Sequence, residues 1–437
     1  MWKHGGYVPD PACNEKVGTF HAMTNPGKTS ASLLGILALL SAIAPFAIDM
    51  YLPAFPQMMS DLNTSATSVQ LTLTTFMLGL ATGQLVIGPL SDQFGRRRPL
   101  LLGTVACLAA SALCALAPTI EWLIAMRFVQ GFSGAAGVVL ARAIITDIAR
   151  GVNAARMFSI MMTVGGIAPV LAPLLGSGII QGFGWRGVFW VLAGLNLLMI
   201  IGAAFLVRES LPPERRSAGG LKVLGSNAGQ VLRNKPYLGF TLTFAFAMTA
   251  MFAYIAASPF VLQNIIGLGS TTYSLAFGAN ALGLTAASIV SARLVTRAGP
   301  KRLTYIGVGS LLAGSAALLC IIVFAGTPAI PTMLLLFVTV SALGLVLGNA
   351  SALATAQVTR FAGTGSAILG ALQFTLAAIA SPIVGMAGEH SAVPMAAAML
   401  VSAGISALFL CTMTRGASMQ PEEEGNEKSA VSAPGVK

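Results

Sequence analysis

Apolar runs of about twenty residues, broken by charges and by Pro or Gly clusters, follow one another from residue 31 to residue 413. A helix needs roughly 20 apolar residues to cross a hydrocarbon layer of about 30 Å, so each run reads as a membrane span. The breaks place spans at 31–55, 69–90, 99–118, 121–147, 157–181 and 185–207. After a polar stretch they continue at 236–258, 273–296, 302–325, 330–356, 364–387 and 391–413. Twelve spans in two sets of six predict an all-α integral membrane protein. The alternating strands of about ten residues that mark a membrane barrel are not found. The expected organisation is a disordered cytoplasmic leader at 1–30, a six-helix bundle at 31–207, a cytoplasmic linker at 208–235, a second six-helix bundle at 236–413 and a disordered cytoplasmic tail at 414–437.

Composition agrees with this pattern: 55% of residues are hydrophobic and 9% charged, against about 25% charged in a soluble domain. The net charge of +11 would suit nucleic acid if it were clustered. It is instead dispersed over short loops, which excludes that class. Of 25 Lys and Arg residues, all but Arg127, Arg142, Arg186 and Arg293 fall in the leader, the tail and alternate loops. The positive-inside rule then puts both termini of a multi-pass protein in the cytoplasm. Trp122 and Trp185 are expected as interfacial anchors at the opposite side. Cys107, Cys114, Cys320 and Cys411 lie in spans and Cys13 in the leader, with neither a disulfide framework nor zinc spacing. His4, His21 and His390 lie outside the spans, and no metal, di-acid or Ser–His constellation appears, which argues against an enzyme. No cofactor is expected.

The linker "RESLPPERRSAGGLKVLGSNAGQVLRNK" (208–235) is basic and rich in turn formers. "GPLSDQFGRRR" (88–98), after the second span, has a weaker counterpart in "ARLVTRAGPKR" (292–302), after the eighth. A duplicated six-helix unit explains this echo, and such repeats commonly hold a transport site at their interface.

Within the spans, the stretch "FAIDMYLPAFP" (46–56) carries Asp49. An intramembrane carboxylate is costly and functional by default. Pro53 has no N–H for the carbonyl four residues back, which is that of Asp49; Pro45 and Pro56 likewise free Ser41 and Leu52. Span 4 runs inward from Glu121 and places Arg127 roughly 9 Å below its outer end, where the two charges can meet. Asp49 and Arg127 are the candidates for proton coupling, with a fixed structural ion pair as the alternative. Arg127, Gln130, Gly131 and Gly134 share one helical face. Arg142, about 22 Å further along, is expected to snorkel. Polar residues of the second half are sparse, and no acid lies mid-span there. Tyr51, Gln130, Tyr254, Asn280 and Gln373 are the candidates for a substrate cavity, beside apolar groups such as Met248, Met251 and Phe252.

Near the cytoplasmic surface, Asp92 is placed to cap the positive N-terminus of span 11, at "FAGTGSA" (361–367), and Arg96 to pair with Asp147. With Gly88 and Gly95 of the same loop they form a candidate latch between the halves. In span 5, Gly165, Pro169, Ala172, Pro173 and Gly176 make a kinked face of small residues suited to close, releasable helix packing.

"GPLSDQFGRRRP", "RFVQGFSGA" (127–135) and "GGIAPVLAPLLG" (165–176) resemble the loop, fourth-helix and antiporter motifs of the major facilitator superfamily. With "DMYLPAFP", "ARAIITD" (141–147) and "WRGVFW" (185–190), the resemblance narrows to its bicyclomycin/chloramphenicol resistance (Bcr/CflA) drug:proton antiporters, over residues 31–413. Antiporters often carry Gly-Pro where this chain has Ala168-Pro169 and Ala172-Pro173. The resemblance implies a monomeric exporter of the bacterial cytoplasmic (inner) membrane that exchanges protons for amphipathic molecules such as chloramphenicol-like, bicyclomycin-like or sulfonamide-like drugs. It also implies that the latch holds an outward-facing state and that the span-5 face seals against span 8. A proton-coupled importer or metabolite exporter on the same fold, or more remotely a membrane receptor or scaffold, stays open, because a shared fold does not fix function.

Overall fold

The computed structural model describes residues 31–216, 220–385 and 390–415. The expected leader, Cys13, His4, His21 and all but the first two residues of the expected tail lie outside the described residues. The first half comprises α1 (Ala31–Asp49), α2 (Phe55–Asp61), α3 (Ala66–Phe94), α4 (Arg97–Ala115), α5 (Ile120–Ile148) and α6 (Gly151–Leu206). A linker helix, α7 (Gly220–Arg233), leads into α8 (Lys235–Pro259), α9 (Ser270–Ala298), α10 (Pro300–Ala325), α11 (Ala329–Ala356), α12 (Ala362–Gly385) and α13 (Val393–Met413).

Two places depart from the hydropathy reading and a third bears it out, each for a local reason. The first span does not run to residue 55: regular helix ends at Asp49, a 3-10 turn covers Leu52–Ala54, and α2 follows. Pro53 sits in that turn and Pro56 in the first turn of α2, where a missing N–H is tolerated. Fifty-six residues of continuous helix in α6 would measure about 84 Å, far more than a bilayer. Gly184 (φ 65°, ψ −176°) breaks it into the two expected spans. Eleven long apolar helices therefore make twelve crossings among the described residues, because the one at Arg156–Leu206 counts twice. Finally, the linker is not all turn. Leu221, Leu224, Ala228 and Val231 recur at helical spacing in α7, and Val231 is fully buried.

In the first half, α5 packs on α3 and α4, and α1 on α5 and α6. In the second, α8 packs on α11, α12 and α13, and α10 on α11 and α13. The halves meet along two seams, α3 with α12 and α6 with α9, while α7 touches both α3 and α12. Close approach along the helices needs small residues. A Cβ on Gly131 of α5, for example, would run into the backbone carbonyl of Phe76 in α3.

On the face away from the linker, the two halves are tied together. Thr67 Oγ1 donates to the Gly385 carbonyl (2.7 Å), Gln70 Nε2 to that of Ala256 (2.9 Å) and Gln263 Nε2 to that of Pro53 (3.3 Å). Gln181 Nε2 donates to Thr271 Oγ1 (2.9 Å), and the Phe55 and Phe260 rings lie 5.7 Å apart. Gln70 is buried and also accepts on its own carbonyl from Ser381. Gln70→Ala removes a buried donor and frees the Ala256 carbonyl. That variant is expected to open this face several-fold more often, read as faster maleimide labelling of an Ala257→Cys reporter in a background lacking Cys13, Cys320 and Cys411. Unchanged labelling would mean that Gln70 does not hold the seam.

Trp185 is not an interfacial anchor: it is buried and its Nε1 donates to Asp61 Oδ2 at 3.0 Å, tying α6 to the end of α2. Trp122 is 42% exposed, as an anchor should be.

Candidate functional site

Arg127 has no exposed surface. Its Nη1 donates to Gln130 Oε1 (2.6 Å), one turn on in α5, and its Nη2 to the Ala47 carbonyl of α1 (3.0 Å). Nε faces the Thr72 carbonyl of α3 at 3.4 Å. The guanidinium carbon lies 4.2 Å from the Phe76 ring centre and 4.4 Å from that of Tyr51, with Phe189 at 5.7 Å. A cation held over aromatic faces and by carbonyl acceptors can stay charged in an apolar interior without a carboxylate. The expected meeting of the two charges does not occur. Among the described residues no ion pair joins Arg127 to Asp49, because Arg127 spends its donors on backbone two residues before the acid. Gln130 is a member of this cluster, donating onward to Ser111, and Tyr51 is another, with its hydroxyl 3.2 Å from Thr72 Oγ1.

Asp49 faces the other way. It is 4% exposed, its Oδ1 has no hydrogen-bond partner, and it lines a cavity of about 270 Å³ between the halves. Pro45, Gly165 and Pro169 line the first-half side, and Met251, Tyr254 and Phe277 are among the second-half walls. Tyr254 accepts from Asn280 Nδ2 at 2.7 Å and stacks on Phe277 at 5.6 Å. Of the five candidate cavity residues, Tyr254 and Asn280 line it; Tyr51, Gln130 and Gln373 do not. Gln373 is half-buried, and its neighbour Phe374 takes the lining position. Phe277 and Phe374 escaped the sequence reading, since in an apolar helix nothing separates a cavity ring from one facing lipid.

Toward the linker, the Arg96–Asp147 pair forms, at 3.0 Å, with both side chains largely buried. Arg96 Nη1 also donates to Asp92 Oδ1 and to Ser91 Oγ, each at 2.6 Å. Asp92 is therefore engaged within its own half and 47% exposed on its side chain; among the described residues Arg96 is its ion-pair partner, rather than a group of 361–367. Thr67, Gln70 and Gln263 bond between the halves on the far face, whereas the side-chain bonds of Asp92 and Arg96 stay within the first half. Gly95 turns the chain with φ +89°, and Gly88 has room for a Cβ at ordinary contact distance from Val139. Glu209, unanticipated from the sequence, docks the linker. It accepts from the backbone N–H groups of Arg96 (2.7 Å) and Arg97 (3.3 Å), capping α4, while Ser210 Oγ donates to Asp147 (2.9 Å). Partial burial pushes the Glu209 carboxyl up, but the N–H groups of Arg96, Leu211 and Arg97 and the charge of Arg216 outweigh it and hold it below the ordinary carboxylate range. An acid two residues past a span, followed by Ser, was the available signal.

The small-residue face of span 5 serves two partners rather than one. Gly165 and Pro169 line the cavity, and the Val170 carbonyl faces Gly278 of α9. Ala172 and Pro173 are buried, and Gly176 meets the backbone carbonyl of Met50, just past Asp49. A Cβ at 176 would collide with that carbonyl. Gly176→Val is expected to cost several-fold in the yield of monodisperse protein on fluorescence-detected size exclusion. A wild-type elution profile and yield would show that the contact is not tight.

Compared with known proteins, residues 37–382 match the model of the Major Facilitator Superfamily. The MFS-type transporter YdgK of Bacillus subtilis (strain 168) is 36% identical over 394 residues, covering 90% of this chain and 98% of that one. The bicyclomycin resistance protein homolog of Haemophilus influenzae is 30% identical, covering 89% and 98%. The fold is also that of the D-xylose-proton symporter crystal structure, with TM-score 0.69 at 15% identity, covering 90% of this chain and 100% of that one.

Proposed function

Since the chain belongs to the Major Facilitator Superfamily, we propose that it is a proton-driven exporter of amphipathic drugs working by alternating access. The observation that carries this reading is Asp49. One buried carboxyl with an unpartnered oxygen stands in the wall of a largely apolar and aromatic cavity between two six-helix halves. Membership makes the chain a multi-pass membrane transporter and not an enzyme. The drug-resistance name of the Haemophilus influenzae relative supports drugs as cargo.

In this reading the linker face is cytoplasmic, both termini lie on that side, and the membrane is the bacterial inner membrane. The halves 31–207 and 236–413 rock as units around the cavity, and the chain acts as a monomer without a cofactor. The bonds across the far face fit a state shut toward the outside. Asp49 takes a proton when the cavity faces outward and surrenders it when the cavity faces inward and the drug enters. Arg127 is a positioning residue: through the Ala47 carbonyl it fixes the end of α1 and so the place of the acid.

The test is uptake of a drug panel into inverted membrane vesicles, with the interior made acidic and then with the gradient collapsed by a protonophore. Gradient-dependent accumulation of chloramphenicol-like or related compounds is the expected result. Uptake indifferent to the gradient would overturn proton coupling. Accumulation only with the gradient reversed would make the protein an importer.

A further inference from the structure

The linker is fastened to each half by its own set of bonds. At its start, Glu209 accepts from the backbone N–H groups of Arg96 and Arg97, and Ser210 Oγ donates to Asp147, all in the first half. Arg216 Nε donates to the Leu211 carbonyl (3.3 Å), and its guanidinium lies with Glu209 against Gly95. At the other end, Asn234 Nδ2 donates to the Gln357 carbonyl (3.0 Å), just past α11. Asn234 Oδ1 accepts from the Tyr237 N–H and caps α8, and the Tyr237 hydroxyl donates to the Gly365 carbonyl (2.7 Å) in the first turn of α12. Between the two anchors α7 lies across the linker-side seam, touching α3 and α12 at once. Val231, near the second anchor, is fully buried, while Leu232 beside it is 43% exposed.

Halves that rock as units cannot close both ends of the α3–α12 seam at once. The far end is shut by the bonds from Thr67 to Gly385 and from Ser381 to Gln70. At the linker end both walls instead receive α7, a body about 10 Å across. Direct packing of α3 on α12 there, with axes about 8–10 Å apart, would claim the surface that α7 now covers. Resting on the alternating-access reading, we propose that α7 is a spacer, seated only while the linker side is open and displaced when that side closes. Displacement is unfavourable on two counts. Val231 loses its burial. A helix of 14 residues that carries Gly225 and Gly229 also loses the support it folds on, since isolated helices shorter than about 12–15 residues are marginal in water. The seated spacer therefore favours the state shut on the far face, and the order of α7 sets how often that face opens.

The test reads both ends of the seam in purified full-length protein in detergent, with neither cargo nor gradient, in the background lacking Cys13, Cys320 and Cys411. Spin labels on Phe94→Cys, at the end of α3, and Gly363→Cys, at the start of α12, give the linker-side distance; both positions are exposed. Maleimide labelling of the Ala257→Cys reporter gives the opening of the far face. Val231→Asp unseats α7 and Gly225→Pro breaks it, so each is expected to populate a shorter linker-side distance and to speed far-face labelling about tenfold. Gly229→Ala strengthens the helix at a position with open space for a Cβ, and labelling should slow about fivefold. Leu232→Asp, a charge on the exposed neighbour, leaves both readings at wild type. Wild-type distances and rates in Gly225→Pro and Gly229→Ala would overturn the inference, whether or not Val231→Asp folds. A longer linker-side distance in Gly225→Pro would overturn it too, making α7 a clamp. Vesicle uptake indifferent to the gradient would sink the exporter reading and leave these distances untouched. Unmoved distances in a protein that still accumulates drug would sink the spacer alone.

Discussion

Asp49→Asn is expected to abolish gradient-driven drug accumulation in inverted vesicles while sparing substrate exchange. A one-for-one antiporter converts each unit of pH difference into about 1.4 kcal/mol, or roughly tenfold accumulation. Asparagine keeps the size and polarity of the side chain but cannot carry a proton, so the accumulation ratio should fall to unity at any imposed gradient. Counterflow, in which labelled drug exchanges for unlabelled drug with no gradient, does not need the proton; for a neutral drug it should persist. That comparison separates lost coupling from lost folding. The side chain sits where regular helix ends and Pro53 has removed a donor, and it makes no ion pair among the described residues. Replacement therefore breaks no salt bridge. Full gradient-driven accumulation by Asp49→Asn would show that the proton is carried elsewhere.

Arg127→Leu should be damaging in a different way, through stability. The guanidinium satisfies Gln130 Oε1 and the Ala47 carbonyl and fills the space between the Tyr51, Phe76 and Phe189 rings. Hydrogen bonds to a charged group are worth about 1.5–3 kcal/mol each, so losing two of them costs about 3 kcal/mol or more. Arg127→Lys should recover little, because an ammonium has neither the planar fork that reaches two elements at once nor the flat face that lies on rings. The measurement is the thermal midpoint in detergent for both variants beside that of Asp49→Asn. A large fall for Leu and Lys with little change for Asn is expected. Midpoints equal to wild type for both Arg127 variants, with reduced transport, would instead make Arg127 part of the coupling machinery.

The two residues show where the sequence stopped being sufficient. Depth along the helices was legible: Asp49 and Arg127 were placed near the same level, and the bond from Arg127 to the Ala47 carbonyl puts them there. Whether they touch was not, since a helix rotated by a fraction of a turn sends a side chain to the next neighbour. Here Arg127 turns to α1 backbone and rings, and Asp49 to the cavity. The same limit applied at the latch. Arg96 and Asp147 were paired correctly because both lie at the linker-side ends of adjacent helices of one bundle. Asp92 was assigned across the interface, where the outcome depends on how the two bundles sit.

The sequence by itself determined the spans, the two sets of six, the break at Gly184 between two crossings and the alternation of basic loops. Each follows from the transfer free energy of single residues and from backbone chemistry that acts over a few positions. Only the tertiary structure decided that Gly176 receives the Met50 carbonyl, that Glu209 caps α4, that Gln70 ties three helices on the far face and that Phe277 rather than Gln373 lines the cavity. Those facts rest on helix rotation and register, which packing fixes jointly for all the helices and which no local stretch of sequence encodes.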